Sequence, residues 1–230
     1  MSFKVWNSKL ARIIVILALL SAIVGQWEVQ PVYAASLLVT NTNDSGPGSL
    51  RQAILSAASG DMITFDAALA GKFIILASQL YIDKNLTIDG SGLNPQLRLS
   101  GNFSTRILQV ASPAQVSISN LWFQDGTSDN GGAVLNVGTL TIDNSTFYNN
   151  YSTGSGGAMS GTNITLTNST VKNNHADGYG GAIYSGGLTI RNTTITRNQG
   201  GVGGALHITG NGTTTIVNST IYRNYAQLVG

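Results

Sequence analysis

Apolar and polar residues alternate with a period of two along much of this chain, which is the pattern of short β-strands. Leu140 and Ile142 flank a threonine, and Leu188 and Ile190 repeat that arrangement further along. No stretch of this repetitive region holds the period of an amphipathic helix. The pattern therefore predicts an all-β protein whose short strands are separated by Gly, Asn and Ser.

One sequence unit occurs four times between residues 131 and 224. Each copy opens with Gly-Gly-Ala, continues as a Thr/apolar alternation to Asn-(Ser/Thr)-Thr, and closes with an apolar residue three positions before an Asn. The Gly-Gly pairs recur at intervals of 25, 24 and 23 residues. Such repeats indicate a solenoid, because one unit cannot bury its apolar side alone whereas stacked units can. We predict a right-handed parallel β-helix with about 24 residues per coil.

Stacked coils place equivalent residues in columns, and one predicted column consists of asparagines. We call it the outer asparagine column, and its members are Asn120, Asn144, Asn168, Asn192 and Asn218. Asn tolerates the left-handed backbone of tight turns, and inward amides can pair along a stack. Asn-x-(Ser/Thr) is also the acceptor motif of N-glycosylation. Because the spacing follows the coil period, we interpret the column as a structural ladder whose side chains point inward.

Residues 1–34 have the features of a secretory signal peptide. Three basic residues precede an apolar run over 13–24, and small residues lie near Ala34. The run is too short to span a bilayer comfortably, so we predict cleavage before Ala35, with a retained N-terminal anchor as the alternative. No later segment is apolar enough to cross a membrane, so we expect a secreted or cell-surface protein without a membrane span.

Residues 35–61 are predicted to form an N-terminal strand and a short capping helix. Leu50, Ala53 and Ile54 share one helical face, with Ser49 or a neighbour as the N-cap and Gly60 at the end. Such a helix would cover the open apolar end of the first coil. The β-helix is then expected over 62–230. No C-terminal cap is recognisable there, so we expect a fragment of a longer protein.

The net charge of the chain depends on whether the predicted signal peptide, residues 1–34, is counted. The full chain carries 12 Lys and Arg against 10 Asp and Glu, but residues beyond 34 hold nine basic residues and nine Asp. This neutral balance lacks the basic footprint of a nucleic-acid-binding protein. There is no cysteine, which excludes a disulfide framework.

Side chains suited to catalysis are few and scattered. Asp125 and Asp129 are read as one turn and are candidates for an ion site, with a solvated turn as the alternative. His175 and His207 occupy different offsets within their repeats, so we interpret both as surface residues. We predict no catalytic residue, no metal and no cofactor.

One candidate binding strip emerges from the projected columns. It contains Tyr148, Lys172, Arg197, Tyr222 and Arg223. Aromatic and cationic side chains in line would suit a glycan or protein partner, and a solvated outer face is the alternative.

Two features resemble known surface proteins. The segment 48–54, Gly-Ser-Leu-Arg-Gln-Ala-Ile, resembles the Cys-Ser-Leu-Arg-Glu-Ala-Ile segment that opens many bacterial surface β-helix proteins. The Gly-Gly-Ala-(Ile/Leu/Val) and Phe-x-x-Asn motifs resemble those of chlamydial polymorphic outer-membrane proteins, although only Phe147–Asn150 keeps the Phe. The resemblance implies a β-helix with surface or extracellular placement, in which an adhesin-like or passenger-type display scaffold is the expected function.

Parallel β-helices also include enzymes that cleave polysaccharides, and a fold by itself does not fix function. The alternative prediction is therefore a carbohydrate-active enzyme of the polysaccharide lyase or glycoside hydrolase type, with a site built from scattered Asp and Arg.

Overall fold

The computed structural model describes residues 35–210 and 212–227, so the predicted signal peptide lies outside the described residues. One α-helix, α1 (Leu50–Ser56), and one 3-10 turn (Ala67–Leu69) occur there. The strands in chain order are β1 (Ser36–Val39), β2 (Met62–Phe65), β3 (Phe73–Ile75), β4 (Leu80–Ile82), β5 (Leu86–Asp89), β6 (Leu97–Ser100), β7 (Leu108–Val110), β8 (Gln115–Ser119), β9 (Leu121–Gln124), β10 (Thr127–Asn130), β11 (Val134–Asn136), β12 (Thr139–Asp143), β13 (Thr146–Tyr148), β14 (Tyr151–Ser155), β15 (Met159–Gly161), β16 (Ile164–Thr167), β17 (Thr170–Lys172), β18 (His175–Tyr179), β19 (Ile183–Ser185), β20 (Leu188–Arg191), β21 (Thr194–Thr196), β22 (Gln199–Val202), β23 (Leu206–Ile208), β24 (Thr214–Val217), β25 (Thr220–Tyr222) and β26 (Tyr225–Ala226).

The strands form four parallel sheets that run along the stack of coils. Their orders are β1-β2-β5-β8-β12-β16-β20-β24, β3-β6-β9-β13-β17-β21-β25, β4-β7-β11-β15-β19-β23 and β10-β14-β18-β22-β26. The result is a right-handed parallel β-solenoid of about 8 coils with about 24 residues per turn, so the fold prediction is confirmed.

The register follows the period of two. Leu140 pairs with Ile164, and Thr141 pairs with Thr165, so apolar residues face inward and threonines outward on successive coils. Slipping one strand by one residue would exchange its two faces, so burial of the apolar face fixes the register. The core continues through Phe123 and Phe147, whose fully buried rings stack with centroids 4.7 Å apart.

The Gly-Gly pair at each coil corner meets two separate requirements. Gly156 has φ +70°, a left-handed conformation that suits glycine. At Gly157 a Cβ would collide with the backbone oxygen of Gly181 in the next coil. The repeated pair therefore lets the chain turn and lets adjacent coils approach.

Helix α1 packs against strands β1 and β4, and its buried residues belong to the core. The Ser49 hydroxyl accepts a hydrogen bond from the Gln52 amide at 3.1 Å, and Leu50 and Ile54 are buried. At the other end the Lys84 ammonium donates to the carbonyl of Ala57 at 3.1 Å, where the helix dipole favours a cation. The helix ends at Ser56, earlier than predicted, because the chain becomes extended at the cap residue that follows.

Candidate functional site

The outer asparagine column lies at the turn after each strand of the eight-stranded sheet. All five members have left-handed backbone, with φ between 45° and 55°. The amide of Asn144 donates to Asn120 at 2.9 Å and that of Asn192 to Asn168 at 3.1 Å, but Asn168 donates to Asp143 instead.

The expected inward orientation is wrong for most of this column. Asn120 is buried, whereas Asn144, Asn168, Asn192 and Asn218 are exposed. The residue after each of them turns inward instead: Ser145 is buried, and its hydroxyl accepts from the Leu121 amide of the previous coil at 3.2 Å. In these turns the side chain of the left-handed Asn thus faces solvent, and the side chain of the Ser or Thr that follows faces the interior.

A different set of asparagines forms the buried ladder. We call it the inner asparagine column, and its members are Asn150, Asn174, Asn198 and Asn224. The side-chain amides of Asn150, Asn174 and Asn198 each donate to the side-chain oxygen of the next member at 2.9 Å. The same oxygens accept backbone amides from the preceding coil at 2.9–3.0 Å. The inner column therefore satisfies buried backbone groups at this corner.

The candidate binding strip borders the seven-stranded sheet, where two files of residues flank the core column; Ser100 and Thr196 are buried, and the other members are partly or fully exposed. One file contains Phe73, Arg98, Trp122, Thr146, Thr170, Thr194 and Thr220, and the other contains Ile75, Ser100, Gln124, Tyr148, Lys172, Thr196 and Tyr222.

The structure divides the predicted strip into two parts. The Lys172 ammonium lies 5.6 Å from the centre of the Tyr148 ring, so these two residues meet. Thr196 separates them from Tyr222, over which the Arg223 guanidinium lies at 5.9 Å. Arg197 and Arg223 are turn residues outside the strands, both in left-handed conformation.

Sequence reasoning missed the strongest part of this surface. Arg98 lies between two rings, 4.9 Å from the centres of both Phe73 and Trp122. Lys172 also approaches the Trp122 ring, at 5.3 Å. We call Phe73, Arg98, Trp122, Tyr148 and Lys172 the basic–aromatic strip. Their spacing was the signal that would have revealed them, because Arg98 and Trp122 are separated by the same coil period as Tyr148 and Lys172, in the neighbouring file.

The cations beyond the leader fall into two groups. Arg51, Lys84 and Arg106 donate to several oxygens each; Arg51, for example, bonds Asp44 and the carbonyls of Ser78 and Gln79. Among the described residues, the other six have neither a side-chain hydrogen bond nor an ion pair: Lys72, Arg98, Lys172, Arg191, Arg197 and Arg223. The strands of the seven-stranded sheet also contain no Asp or Glu. The strands of this face therefore carry basic but no acidic side chains, although Asp125 occupies the turn position that Arg197 and Arg223 occupy in later coils.

Two buried polar atoms of this sheet lack partners among the described residues. They are the indole nitrogen of Trp122 and the hydroxyl oxygen of Thr196. Both residues adjoin Lys172, through its contact with the indole ring and through its strand pairing. Buried polar groups are nearly always hydrogen-bonded, so these two atoms are exceptions, and both lie beneath the surface beside Lys172.

The two Asp residues proposed as ion ligands do not share one turn. Asp129 lies in β10, where its carboxylate accepts from Ser128 at 2.8 Å and from Arg106 at 2.9 Å. The Ser128 hydrogen bond is the main cause that lowers the pKa of Asp129. Asp125 accepts from Asn149 and Gln124 at 2.7 and 2.6 Å. Within the described residues, no three His, Asp or Glu side chains gather as a metal site requires.

His175 has a partner that the sequence analysis overlooked. Its ring nitrogen lies 2.8 Å from the Asp177 carboxylate, which also accepts from the Tyr151 hydroxyl at 2.5 Å. The hydrogen bond between Tyr151 and Asp177 lowers the pKa of Asp177 and raises that of Tyr151. The spacing His-x-Asp in a strand, with Tyr one coil earlier, would have predicted this cluster. His207 instead stacks on Tyr184 with centroids 5.6 Å apart.

No helix in the described part of the chain has the length and apolar character of a membrane span. A search of curated proteins found no match. The family model described as the right handed beta helix region matches residues 80–221, which is more than half of the chain. The stacked parallel strands, the buried columns and this match agree, and the chain belongs to the right-handed beta helix family.

Proposed function

We propose that this chain is an exported, non-enzymatic β-helical protein that acts as an adhesin-like display scaffold at the cell surface or outside the cell. The resemblance of its repeats to chlamydial polymorphic outer-membrane proteins, and the basic and apolar start of the chain, support export and surface placement. The partner on this proposal is a surface glycan or protein.

The proposal is carried by a difference between the acidic and the basic side chains in how far they are engaged by hydrogen bonds. Carboxylates that a polysaccharide-cleaving site would need are engaged in local structure: Asp125, Asp129 and Asp143 each accept hydrogen bonds from neighbouring side chains. Arg98 and Lys172 remain on an open sheet face with aromatic rings. Such a surface is suited to binding, whereas glycoside hydrolysis requires paired carboxyl groups around a bond.

The alternative, a carbohydrate-active enzyme, is favoured by one cluster. The Asp177 carboxylate lies within hydrogen-bonding distance of the Tyr151 hydroxyl and the His175 ring, so the cluster contains groups that can act as acid and base. A polysaccharide and glycan array scored for both retention and product release separates the two functions. Retention without released oligosaccharide is the expected result. Release that disappears in Asp177→Asn would establish the enzyme and reject the scaffold.

A further inference from the structure

The basic–aromatic strip has unsatisfied positive charge. Arg98 and Lys172 approach the same indole at 4.9 and 5.3 Å, so two cations share one side chain without a described counter-ion. Arg197 and Arg223 add two more exposed cations in the turns beside the same sheet. Like charges so placed repel one another, and a bound anion would relieve that repulsion.

Resting on the proposed function, we propose that this face binds a polyanionic polysaccharide lying along the solenoid axis. Guanidinium and ammonium groups would form charge-assisted hydrogen bonds with its acidic groups, and a guanidinium can bond a carboxylate through two parallel N–H groups. The threonine file Thr146, Thr170, Thr194 and Thr220 supplies hydroxyls beside them for sugar hydroxyls. Successive rungs are about 4.8 Å apart, which gives an extended polymer regularly spaced contacts.

The aromatic rings argue against a single-stranded nucleic acid as the occupant. Proteins that bind such strands stack bases on free aromatic faces. Here Arg98 is held between the rings of Phe73 and Trp122, and Lys172 lies over Trp122 and Tyr148. The aromatic faces are therefore occupied by cation–π contacts, and the ligand would bind the cationic groups rather than the rings.

Affinity electrophoresis of the full chain tests this assignment with polymers that share a glucan backbone. We expect retardation by carboxymethyl cellulose and none by neutral hydroxyethyl cellulose. Losing two charge-assisted contacts in the double variant Arg98→Gln/Lys172→Gln should weaken binding about tenfold or more. Arg191→Gln, an exposed arginine on the eight-stranded sheet, is the matched control and should stay within about twofold, as surface changes away from a site usually do.

Equal retardation by the neutral polymer, equal loss in the control, or tighter binding of poly(dT) than of carboxymethyl cellulose would overturn the assignment. Thermal melting of each variant verifies folding. Cleavage of a retained polymer would refute the non-enzymatic proposal but leave the strip intact. Absence of retention would refute the strip and leave the scaffold proposal standing.

A second observation, independent of the strip, concerns Asp61. This carboxylate is 6% exposed and forms no ion pair among the described residues. It accepts the backbone amide of Ala35 at 2.8 Å and that of Ala58 at 2.7 Å. Ala35 is the residue that signal-peptide cleavage is predicted to expose as a new N-terminus. A buried carboxylate is costly without a cation, and cleavage would place an ammonium group there.

The geometry points to a processing lock: removal of residues 1–34 leaves an α-ammonium on Ala35 that pairs with Asp61 and secures β1 in the first coil. The test compares exported, cleaved protein with a precursor retained by Ala34→Tyr, each with and without Asp61→Asn. Cleavage should raise the folding equilibrium constant about tenfold, the gain from replacing the neutral amide donor to this carboxylate by a charged ammonium donor, and Asp61→Asn should remove that gain.

Asp66→Asn serves as the control, because Asp66 accepts an amide at an exposed turn and should leave the gain unchanged. A gain that persists in Asp61→Asn, or no gain in the unaltered protein, would refute the lock. A mature protein whose mass shows another first residue would refute the cleavage position as well.

Discussion

At the scale of single residues, buried asparagines of the inner asparagine column use nearly all of their hydrogen-bonding groups. Asn174 is 1% exposed, and its amide donates to Asn198, to the Phe147 carbonyl and to the Lys172 carbonyl. Its oxygen accepts from both the backbone and the side chain of Asn150. Any smaller side chain there leaves several buried groups without partners.

We therefore expect Asn174→Ala to lower the free energy of unfolding by about 3 kcal/mol, the loss typical of unsatisfied buried groups. The control is Asn192→Gly in the outer asparagine column. Asn192 is an exposed left-handed turn residue, so glycine there should cost less than about 1 kcal/mol. Urea unfolding measures both changes. Equal losses would show that the inner column has no special structural role.

Arg197 occupies a backbone conformation that the two preceding coils give to asparagine. Its φ is 56°, and the equivalent Asn149 and Asn173 have φ 57°. A left-handed conformation disfavours most side chains by about 1–2 kcal/mol, and Asn less so.

Arg197→Asn should accordingly raise the free energy of unfolding by about 1 kcal/mol, as relief of that strain. Arg191→Asn, at an arginine within strand β20, should give no such gain because its backbone is extended. Chemical denaturation of the two variants decides, and a loss of stability in Arg197→Asn would contradict the account.

At the scale of elements, Arg51 adds polar links to the apolar contacts that hold helix α1 on the solenoid. Arg51 donates to the carbonyls of Ser78 and Gln79 at 2.6 and 2.9 Å and pairs with Asp44 at 2.6 Å. Its neighbour Gln52 reaches only Ser56, at the exposed surface of the same helix. The two side chains differ in what they connect, although they are adjacent in sequence.

Arg51→Ala is expected to cost about 2 kcal/mol, the range for hydrogen bonds to a charged group. Gln52→Ala should change stability by less than about 0.5 kcal/mol, as exposed substitutions usually do. Thermal or urea unfolding, together with exchange of the α1 amides, reports both effects. If the two variants behave alike, Arg51 does not fasten the cap.

At the scale of the whole molecule, burial is uneven along the stack. Ile195 is fully buried in the column that contains Phe123 and Phe147, whereas Ile221, one coil later in the same column, is 40% exposed. In a solenoid each coil is covered by its neighbours, so stability at a position depends on the coils on both sides.

Ile195→Ala should therefore cost about 2–5 kcal/mol, the usual range for a buried isoleucine. Ile221→Ala should cost clearly less, because its side chain loses less contact. The free energy of unfolding from urea titration measures the difference. Similar costs for the pair would mean that Ile221 is as well packed as its neighbour, contrary to its exposure in the structure.

The sequence alone determined the coil. The period of two within strands and the period of about 24 between copies can both be read from the linear sequence. Together they predict stacked parallel strands without knowledge of individual side-chain contacts. Only the tertiary structure decided which asparagines face inward, because Asn144 and Asn150 have the same repeat spacing and differ only in the turn geometry around them. The same holds for Trp122, whose neighbours come from coils before and after it, so its place among Arg98 and Lys172 becomes visible only when the coils are stacked.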